Sequence, residues 1–242
     1  MIKNKIQQAF NRAADTYDEN CHAQQQTGIK LIHLLKPLHT QANRLLDLGC
    51  GTGMTTQILA SQYDSADFHA VDIATELLKK AKYRLPHAKI HEMDFDSLSG
   101  FDSRFDIIYS NMALQWSTDL LSLLTNTHSL LHDNGSLAFS IPLTGTFKEL
   151  KPHSAVNHFY DNEIILNTLI HSGYDVLINE TENITLTFQN AMHALKSIKH
   201  IGANHVRERG QKSFSKKSHF EQLNFSELTY VIGYFIARKL KS

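Results

Sequence analysis

The stretch Asp47-Leu48-Gly49-Cys50-Gly51-Thr52-Gly53 decides the fold of this chain. The apolar run before it, from Leu45 to Leu48, is typical of a strand, and the residues from about Thr55 to Gln62 have the pattern of a helix. Glycines at such a turn allow backbone angles that other residues avoid, and they let a ligand approach the main chain. We therefore expect a strand, a ligand-binding loop and a helix in this order.

The same alternation continues along the chain. Strands are predicted at 68–72, 88–93, 105–110 and 136–142, and helices at 76–85 and 120–131. Strands that alternate with helices indicate a parallel sheet with helices on both faces, and uninterrupted apolar strands agree with burial on both faces. The fold class expected is therefore α/β.

The flanking regions are less regular. Residues 1–40 are predicted to be helical with a break near Pro37, and Asn134-Gly135 is predicted to form a turn. Several further segments are expected beyond residue 160: helices at 162–172, 191–201 and 220–225, extended segments at 175–178 and 184–188, a polar loop at 202–218, and a buried strand at 228–237.

Composition narrows the class of protein. The 242 residues are 42% hydrophobic and 20% charged, as in soluble globular proteins, and 24 basic residues balance 24 acidic ones. A zero net charge argues against a general nucleic-acid binder, and no apolar stretch approaches the roughly 20 residues that span a bilayer. Cys21 and Cys50 form no C-x-x-C motif and suit a reducing compartment. We expect a cytoplasmic monomer without nucleic-acid or membrane partners.

Asp72 ends the strand that follows the glycine loop, 19 residues after Gly53. A carboxylate at this position accepts hydrogen bonds from a ribose diol in nucleotide-binding α/β folds. The dinucleotide fingerprint G-x-G-x-x-G is incomplete, because Met54 replaces its third glycine. Asp47 beside the loop repels a pyrophosphate and favours a cation, so charge favours S-adenosylmethionine over NAD. The structural alternative is a tight turn at the glycines, with Asp72 as a helix N-cap.

In their order along the chain, Asp47–Gly53, Asp72, Asp94-Phe95 and Phe105–Asn111 resemble the motifs of class I S-adenosylmethionine-dependent methyltransferases over residues 40–142. The resemblance implies a Rossmann-like, seven-stranded, mostly parallel sheet flanked by helices, with a helical lid. It also implies the residues that bind the cofactor, which are Gln24, Asp47, Gly49, Cys50, Gly51, Asp72, Ile73, Asp94, Phe95, Asn111 and Gln115.

Segments outside this core carry a closer resemblance. Ala9–Ala14 with Tyr17-Asp18, Ser110–Trp116, Leu143–Leu150 and Leu195–Asn204 are together similar to the malonyl-acyl-carrier-protein O-methyltransferase family of biotin synthesis. The resemblance implies methylation of the free carboxylate of a malonyl group on acyl carrier protein, with S-adenosylhomocysteine as product. It also implies that Tyr17 is catalytic and covers the cofactor together with Gln24. The alternative for Tyr17 is a core aromatic on an amphipathic helix.

The segment 189–219 carries seven Lys or Arg residues against Glu208 alone. Such a patch would steer an acidic carrier protein, and an inward cation would pair with the malonyl carboxylate. The alternative is a solvated basic loop. The predicted docking residues are Lys196, Lys199, Arg207, Arg209 and Lys212. The expected organisation is a helical cap at 1–38, a methyltransferase core at 39–188, a lid at 189–227 and a last core strand at 228–242.

Other functions stay open at this stage. One is methylation of another small carboxylate or of a quinone precursor, and a second is a non-catalytic scaffold that binds the cofactor. Carbon methylation needs a general base, whereas a malonyl carboxylate with a pKa of about 4 is already ionised at pH 7. His128 and His132 lie four residues apart on a predicted helix without an apparent third ligand, so no metal is expected.

Overall fold

The computed structural model describes residues 2–98, 100–101, 104–150, 157–203 and 225–240. Within them, seven strands form one sheet. The strands are Arg44–Leu48 (β1), Asp67–Asp72 (β2), Lys89–Glu92 (β3), Phe105–Asn111 (β4), Leu131–Pro142 (β5), Tyr174–Thr187 (β6) and Glu227–Lys239 (β7).

The strand order is β3-β2-β1-β4-β5-β7-β6. The first five strands in this order, β3 through β5 across the sheet, pair in parallel with their neighbours. Strand β7 is antiparallel to both β5 and β6. The chain moves from β1 outward to β3 and then returns to place β4 on the other side of β1. This reversal makes a crevice at the carboxyl ends of β1 and β4, where α/β folds bind their ligands. The predicted fold class is confirmed.

Eight helices accompany the sheet in the described ranges. They are Ile2–Ala13 (α1), Tyr17–Asn20 (α2), His22–Leu35 (α3), Met54–Ala60 (α4), Thr75–Arg84 (α5), Leu120–Leu130 (α6), Asn162–His171 (α7) and Ala191–His200 (α8), with a short 3₁₀ turn at Leu114–Trp116. None of the helices in this part of the chain is long and apolar enough to cross a membrane.

Apolar side chains of the central strands alternate between two cores. Leu45 and Ile107 pack with Leu31 and Leu35 of α3 on one face of the sheet. Their neighbours along the strands, such as Ile108, pack on the other face with Leu123 and Leu124 of α6. The sheet is therefore buried on both faces, as the continuous apolar runs predict.

Two details differ from the sequence-based expectation. The extended segments 175–178 and 184–188 belong to one edge strand, β6, because it pairs with β7 over its whole length. Glu180 and Glu182 between them face outward, where Lys30 of α3 binds them at 3.3 Å and 3.0 Å. Asn134-Gly135 lies inside β5, where Asn134 has a φ of 63° and the pairing with β4 changes register. The turn predicted there is therefore an irregularity within a strand.

Candidate functional site

A cleft of about 540 Å³, partly open to solvent, lies at the carboxyl ends of the parallel strands. The loops after β1, β2, β3 and β4 form its floor, and α1 and α2 form the opposite wall. Fifteen residues line it: Lys3, Ile6, Phe10, Tyr17, Gly49, Gly51, Asp72, Ile73, Leu77, Asp94, Phe95, Asn111, Met112, Ala113 and Trp116.

The glycine loop is fixed to β2 by its backbone. The amides of Gly49 and Cys50 donate to the Val71 carbonyl at 2.8 Å and 3.0 Å. Gly49 has a φ of 82°, and a Cβ built on it would lie 2.3 Å from the Ala113 Cβ. Only glycine permits this conformation and this approach to the loop after β4. A Cβ on Gly51 would instead project into the cleft, with Tyr17 Oη as its nearest neighbour at 3.9 Å.

Asp72 closes the floor between this loop and α5. Its Oδ2 accepts the Gly51 amide at 2.8 Å, and its Oδ1 accepts the Ala74 amide at the same distance. Burial raises the pKa of Asp72, and these backbone N–H groups oppose the rise because they favour the charged form. A carboxylate has about four acceptor positions, so these two hydrogen bonds leave room for a ligand hydroxyl. The carboxylate therefore holds the loop in place while remaining available to the cleft.

Asp94 and Phe95 form one end of the cleft. The Lys3 ammonium lies 2.8 Å from Asp94 Oδ1, 2.9 Å from Asp96 Oδ2 and 4.7 Å from the centre of the Phe95 ring. Asp96 in turn accepts hydrogen bonds from Ser117 and Thr118. Burial favours a higher pKa for Asp96, but these hydrogen bonds hold its pKa below the usual value. This end of the cleft is therefore a flat aromatic ring beside charged groups.

Tyr17 reaches the cleft from the first residue of α2. Burial, with Cys21 and the carboxylates of Asp72 and Asp18 as further causes, raises the pKa of Tyr17 far above its usual value. Its phenol therefore stays protonated near neutral pH, and its O–H remains available as a hydrogen-bond donor. Asp18, next in the chain, binds Arg84 and the Thr52 hydroxyl, both at 2.6 Å, which anchors α2 to the glycine loop.

Asn111 ends β4 and lines the cleft beside Met112. Its Oδ1 accepts hydrogen bonds from Thr27 and Ser140, and its Nδ2 donates to the Gln24 carbonyl at 2.8 Å. Met112 has a φ of 52°, an uncommon value for a non-glycine residue. The Met112 amide donates to Ser140 Oγ at 3.1 Å, and its carbonyl accepts from Gln115 Nε2 at 2.7 Å. A strained backbone held by side chains is typical of functional sites.

Known proteins are similar to this chain in sequence and in architecture. A family model described as "Methyltransferase domain" matches residues 45–135. Malonyl-[acyl-carrier protein] O-methyltransferase 2 of Coxiella burnetii is 33% identical over 99% of this chain and 97% of its own length. The malonyl-[acyl-carrier protein] O-methyltransferase of Gallionella capsiferriformans is 31% identical over 88% of this chain and 80% of its own.

This chain belongs to the malonyl-[acyl-carrier protein] O-methyltransferase family. The fold is also that of the N-methyltransferase NodS from Bradyrhizobium japonicum, whose crystal structure contains S-adenosylhomocysteine. The TM-score is 0.55 at 14% sequence identity, over 90% of this chain and 87% of NodS.

Seven of the predicted cofactor residues of this family member line the cleft, namely Gly49, Gly51, Asp72, Ile73, Asp94, Phe95 and Asn111. The other four lie behind it. Gln24 and Gln115 support Asn111 and Met112 through the hydrogen bonds given above. Within the described residues, Gln24 Oε1 is buried and has no hydrogen-bond partner. Cys50 is buried among Ala70, Leu78 and Ala81, and burial raises its pKa well above the usual value.

Asp47 is turned away from the cleft of the methyltransferase. It is 1% exposed, and its Oδ2 accepts the Thr56 hydroxyl at 2.6 Å. Its other oxygen is buried and has no partner in the described part of the chain. Burial raises the pKa of Asp47 to about 7. Its expected attraction for a cationic ligand stays a prediction, and it would act through the loop backbone rather than by contact.

Sequence reasoning missed seven lining residues, namely Lys3, Ile6, Phe10, Leu77, Met112, Ala113 and Trp116. A signal was present for the first three, because spacings of three and four residues place them on one face of a helix. Met112 and Trp116 follow β4, but nothing in their residue types distinguishes a wall of a site from a core position.

The predicted docking residues divide into two groups. Lys196 and Lys199 are exposed on α8, whose opposite face buries Ala194, Leu195 and Ile198. Arg207, Arg209 and Lys212 lie outside the described residues, as do Asn204 and most of the helix predicted at 220–225. No group of three or more His, Cys, Asp or Glu side chains in the described ranges is arranged to hold a metal ion.

Proposed function

We propose that this chain uses S-adenosylmethionine to methylate the free carboxylate of malonyl-acyl carrier protein, a step of biotin synthesis. The observation that carries the proposal is the 33% identity to the Coxiella burnetii relative over 99% of this chain. Such a match extends beyond the sheet to α1, α2 and α8, which lie in the N-terminal cap and the proposed lid.

The residues that line the cleft suit the chemistry of the proposed cofactor. Gly51 leaves space that any side chain would fill. Asp72 offers acceptor positions for ribose hydroxyls, while Phe95 and Ile73 offer apolar surface for an adenine ring. Asp94 offers a carboxylate for the exocyclic amine of the adenine. The Asp72 carboxylate, which accepts the Gly51 amide, also suits a ligand that carries a sulfonium and an ammonium group.

The chemistry requires alignment more than proton transfer. S-adenosylmethionine, when bound, supplies an electrophilic methyl group. The malonyl carboxylate, with an ordinary pKa of about 4, is already a nucleophile at pH 7. Tyr17 stays protonated and is placed to donate a hydrogen bond above Gly51, which would orient a ligand oxygen without removing a proton. We therefore assign Tyr17 an orienting role in catalysis.

Apolar contacts at the wall of the cleft would exclude water from the carboxylate. Phe10 of α1 meets Trp116 edge to face, with ring centres 5.5 Å apart. Gly202, just after α8, lies so close to Phe10 that a Cβ on it would be 2.8 Å from the ring. The N-terminal cap and the segment that contains α8 therefore meet at the cleft. A carboxylate stripped of water is a stronger nucleophile.

The exposed lysines of α8 support docking of an acidic carrier protein. Lys196 and Lys199 lie three residues apart and therefore share the outer face of the helix. The Thr16 hydroxyl donates to the His200 carbonyl at 3.0 Å, which places the end of α8 beside α2 and Tyr17. A carrier protein bound to α8 would thus hold its malonyl group near the cleft. We propose residues 189–227 as the carrier-facing lid and residues 1–38 as the cofactor-facing cap.

A labelled-methyl assay tests the function. The protein is incubated with methyl-labelled S-adenosylmethionine and, separately, malonyl-acyl carrier protein, malonyl-CoA, aconitate and a quinone precursor. We expect the carrier protein to be labelled most rapidly, with label released as methanol by mild alkali because the product is an ester. Faster transfer to aconitate or to the quinone precursor would replace the proposed acceptor. Cofactor binding without transfer to any acceptor would indicate the non-catalytic scaffold.

A further inference from the structure

Lys3 contributes the only ammonium group among the described residues that line the cleft. It lies between the carboxylates of Asp94 and Asp96, at 2.8 Å and 2.9 Å, and above the ring of Phe95. Its side chain is only 18% exposed, so its ion pairs are partly shielded from solvent. They join the N-terminal helix to the end of the cleft that carries the aromatic ring.

One face of α1 is built toward the cleft. Lys3, Ile6 and Phe10 follow one another at spacings of three and four residues, and all three line the cleft. Gln7, on the same side, donates from Nε2 to the Ile73 carbonyl at 2.7 Å. Lys5 lies on the solvent side of the helix and is exposed. The two lysines therefore have the same charge on the same helix, but only one faces the site.

The remaining polar ties of the N-terminal helices lie farther along the chain. Asn11 Oδ1 accepts the Glu76 amide at 3.0 Å, and Lys80 donates to the Ala14 carbonyl at 2.6 Å. Asp18 is bound by Arg84. These contacts fix the carboxyl end of α1 and the start of α2 to α5. At the amino end of α1, Lys3 supplies the charged tie, and Gln7 adds one hydrogen bond to the Ile73 carbonyl. This end therefore depends on the Lys3 ion pairs more than the carboxyl end does.

Lys3 also fixes the direction of Asp94. Asp94 Oδ1 is taken by the Lys3 ammonium and by the Asp96 amide at 3.0 Å. No hydrogen bond in the described ranges uses Oδ2. The second oxygen is thereby left for a ligand donor, and its carboxylate is held against the Phe95 ring.

We infer that Lys3 is a positioning residue for the cofactor, and that its ion pairs with Asp94 and Asp96 form a latch that slows cofactor release. This inference rests on the cofactor part of the proposed function. The proposed adenine end of the site then lies at the contact between α1 and the loop after β3. A ligand in the cleft leaves when this contact opens.

Release of S-adenosylhomocysteine tests the latch without any methyl transfer. Trp116 is the only tryptophan of the chain and lines the cleft, so its fluorescence can follow release after rapid dilution into a competitor. Loss of a partly shielded ion pair and a cation–π contact in Lys3→Met should accelerate release by about threefold to tenfold. Lys3→Arg should restore most of the effect, and Lys5→Met should match the unchanged protein.

The dependence of the release rate on ionic strength is a second test of the latch, made on the unchanged protein. Raising the ionic strength from about 0.05 M to about 0.5 M should accelerate release from the unchanged protein toward the rate of Lys3→Met, because the ion pairs are screened. The Lys3→Met variant should respond less. Amide hydrogen exchange should also be faster at the start of α1 in ligand-free Lys3→Met than in Lys5→Met.

Two results would overturn the inference. Equal release rates for Lys3→Met, Lys5→Met and the unchanged protein would remove the latch and leave the proposed function intact. No binding of S-adenosylhomocysteine by the unchanged protein would remove both. Should Lys3→Met fail to fold, the salt response of the unchanged protein and the behaviour of Lys3→Arg decide, and a release rate independent of salt would contradict the latch.

Discussion

The Thr27 hydroxyl of α3 donates a hydrogen bond of 2.8 Å to Asn111 Oδ1 at the end of β4, across 84 residues of sequence. Ser140 Oγ of β5 donates to the same oxygen at 2.7 Å. Gly28, beside Thr27, lets the helix approach closely, since a Cβ there would lie 2.5 Å from the Thr55 side chain. One helix and two strands thus converge on a single amide at the edge of the cleft.

Replacing Thr27 by Val keeps the volume of the side chain and removes this hydrogen bond. Because Thr27 is fully buried, we expect a loss of about 1–2 kcal/mol in the free energy of unfolding, together with weaker binding of S-adenosylhomocysteine. Thr127→Val is the matched control, since Thr127 is equally buried and bonds to the Leu124 carbonyl within α6. It should lose similar stability in urea titrations and keep its ligand affinity. Equal affinities for both variants would show that Asn111 needs no support from α3.

Asp72→Ala tests the ribose role of this carboxylate. Removing charged hydrogen-bond acceptors should weaken binding of S-adenosylhomocysteine by about 1.5–3 kcal/mol in calorimetry. Asp67 begins the same strand and forms ion pairs with Arg44 and Lys89 at the opposite end. Asp67→Ala should therefore leave the binding affinity unchanged. An unchanged affinity in Asp72→Ala would contradict the role.

Asp47 should make the stability of the fold depend on pH. Its pKa rises to about 7 in the folded state, above an unfolded value near 4, so the folded state holds the proton more tightly. Its contribution to stability is full below about pH 4 and is lost as the pH rises through 7. Relative to Asp47→Asn, the unchanged protein should lose stability between about pH 5 and pH 8, by at most about 1.4 kcal/mol per unit.

Asp119→Asn provides the opposite case for these urea titrations. Hydrogen bonds from Ser122 are the main causes that lower the pKa of Asp119 in the folded state. Its contribution is therefore lost only as the pH falls through this lowered value, and it should be constant between about pH 5 and pH 8. A difference between Asp47→Asn and the unchanged protein that does not vary with pH would show that Asp47 stays ionised.

Strands β1 to β4 are predictable to within one residue because the decisive signals are local, whereas β5 begins at Leu131, five residues before its predicted start. The glycines at the end of β1 and the continuous apolar runs of the strands are both recognisable within short stretches of sequence. The sequence predicts two extended segments in place of the single edge strand β6. Its polar residues Glu180 and Glu182 are typical of a loop when the partner strand is unknown. Pairing with β7, some 50 residues later, is a long-range contact that no local pattern contains.

The residues of the site also differ in whether the sequence alone predicts them. Gly51, Asp72 and Asp94 are predictable from the sequence because glycines and carboxylates just after a strand have a chemical meaning. Lys3 is not, since a lysine near the start of an amphipathic helix is ordinarily a solvated group. Only the packing of α1 across the loop after β3 brings its ammonium to two carboxylates. Asp47 shows the reverse, because a suggestive residue type lies behind the loop rather than in the cleft.

Charge reversal on α8 tests carrier docking. We expect Lys196→Glu with Lys199→Glu to raise KM severalfold for malonyl-acyl carrier protein and to leave KM for malonyl-CoA unchanged, because only the carrier protein reaches the outer face of α8. Lys79→Glu with Lys82→Glu is the matched control, with the same spacing on exposed positions of α5. Equal effects on both substrates, or on both variants, would exclude docking at these lysines.

The position of β7 has a consequence for synthesis of the chain. This strand comes last in sequence but lies between β5 and β6, where thirteen of its residues pair with β6 and seven of these also pair with β5. A growing chain therefore carries the open edge of β5 until β7 has been made, and open edges are where chains join one another. Nonsense or frameshift changes before residue 227 would leave an aggregation-prone intermediate instead of a shortened enzyme.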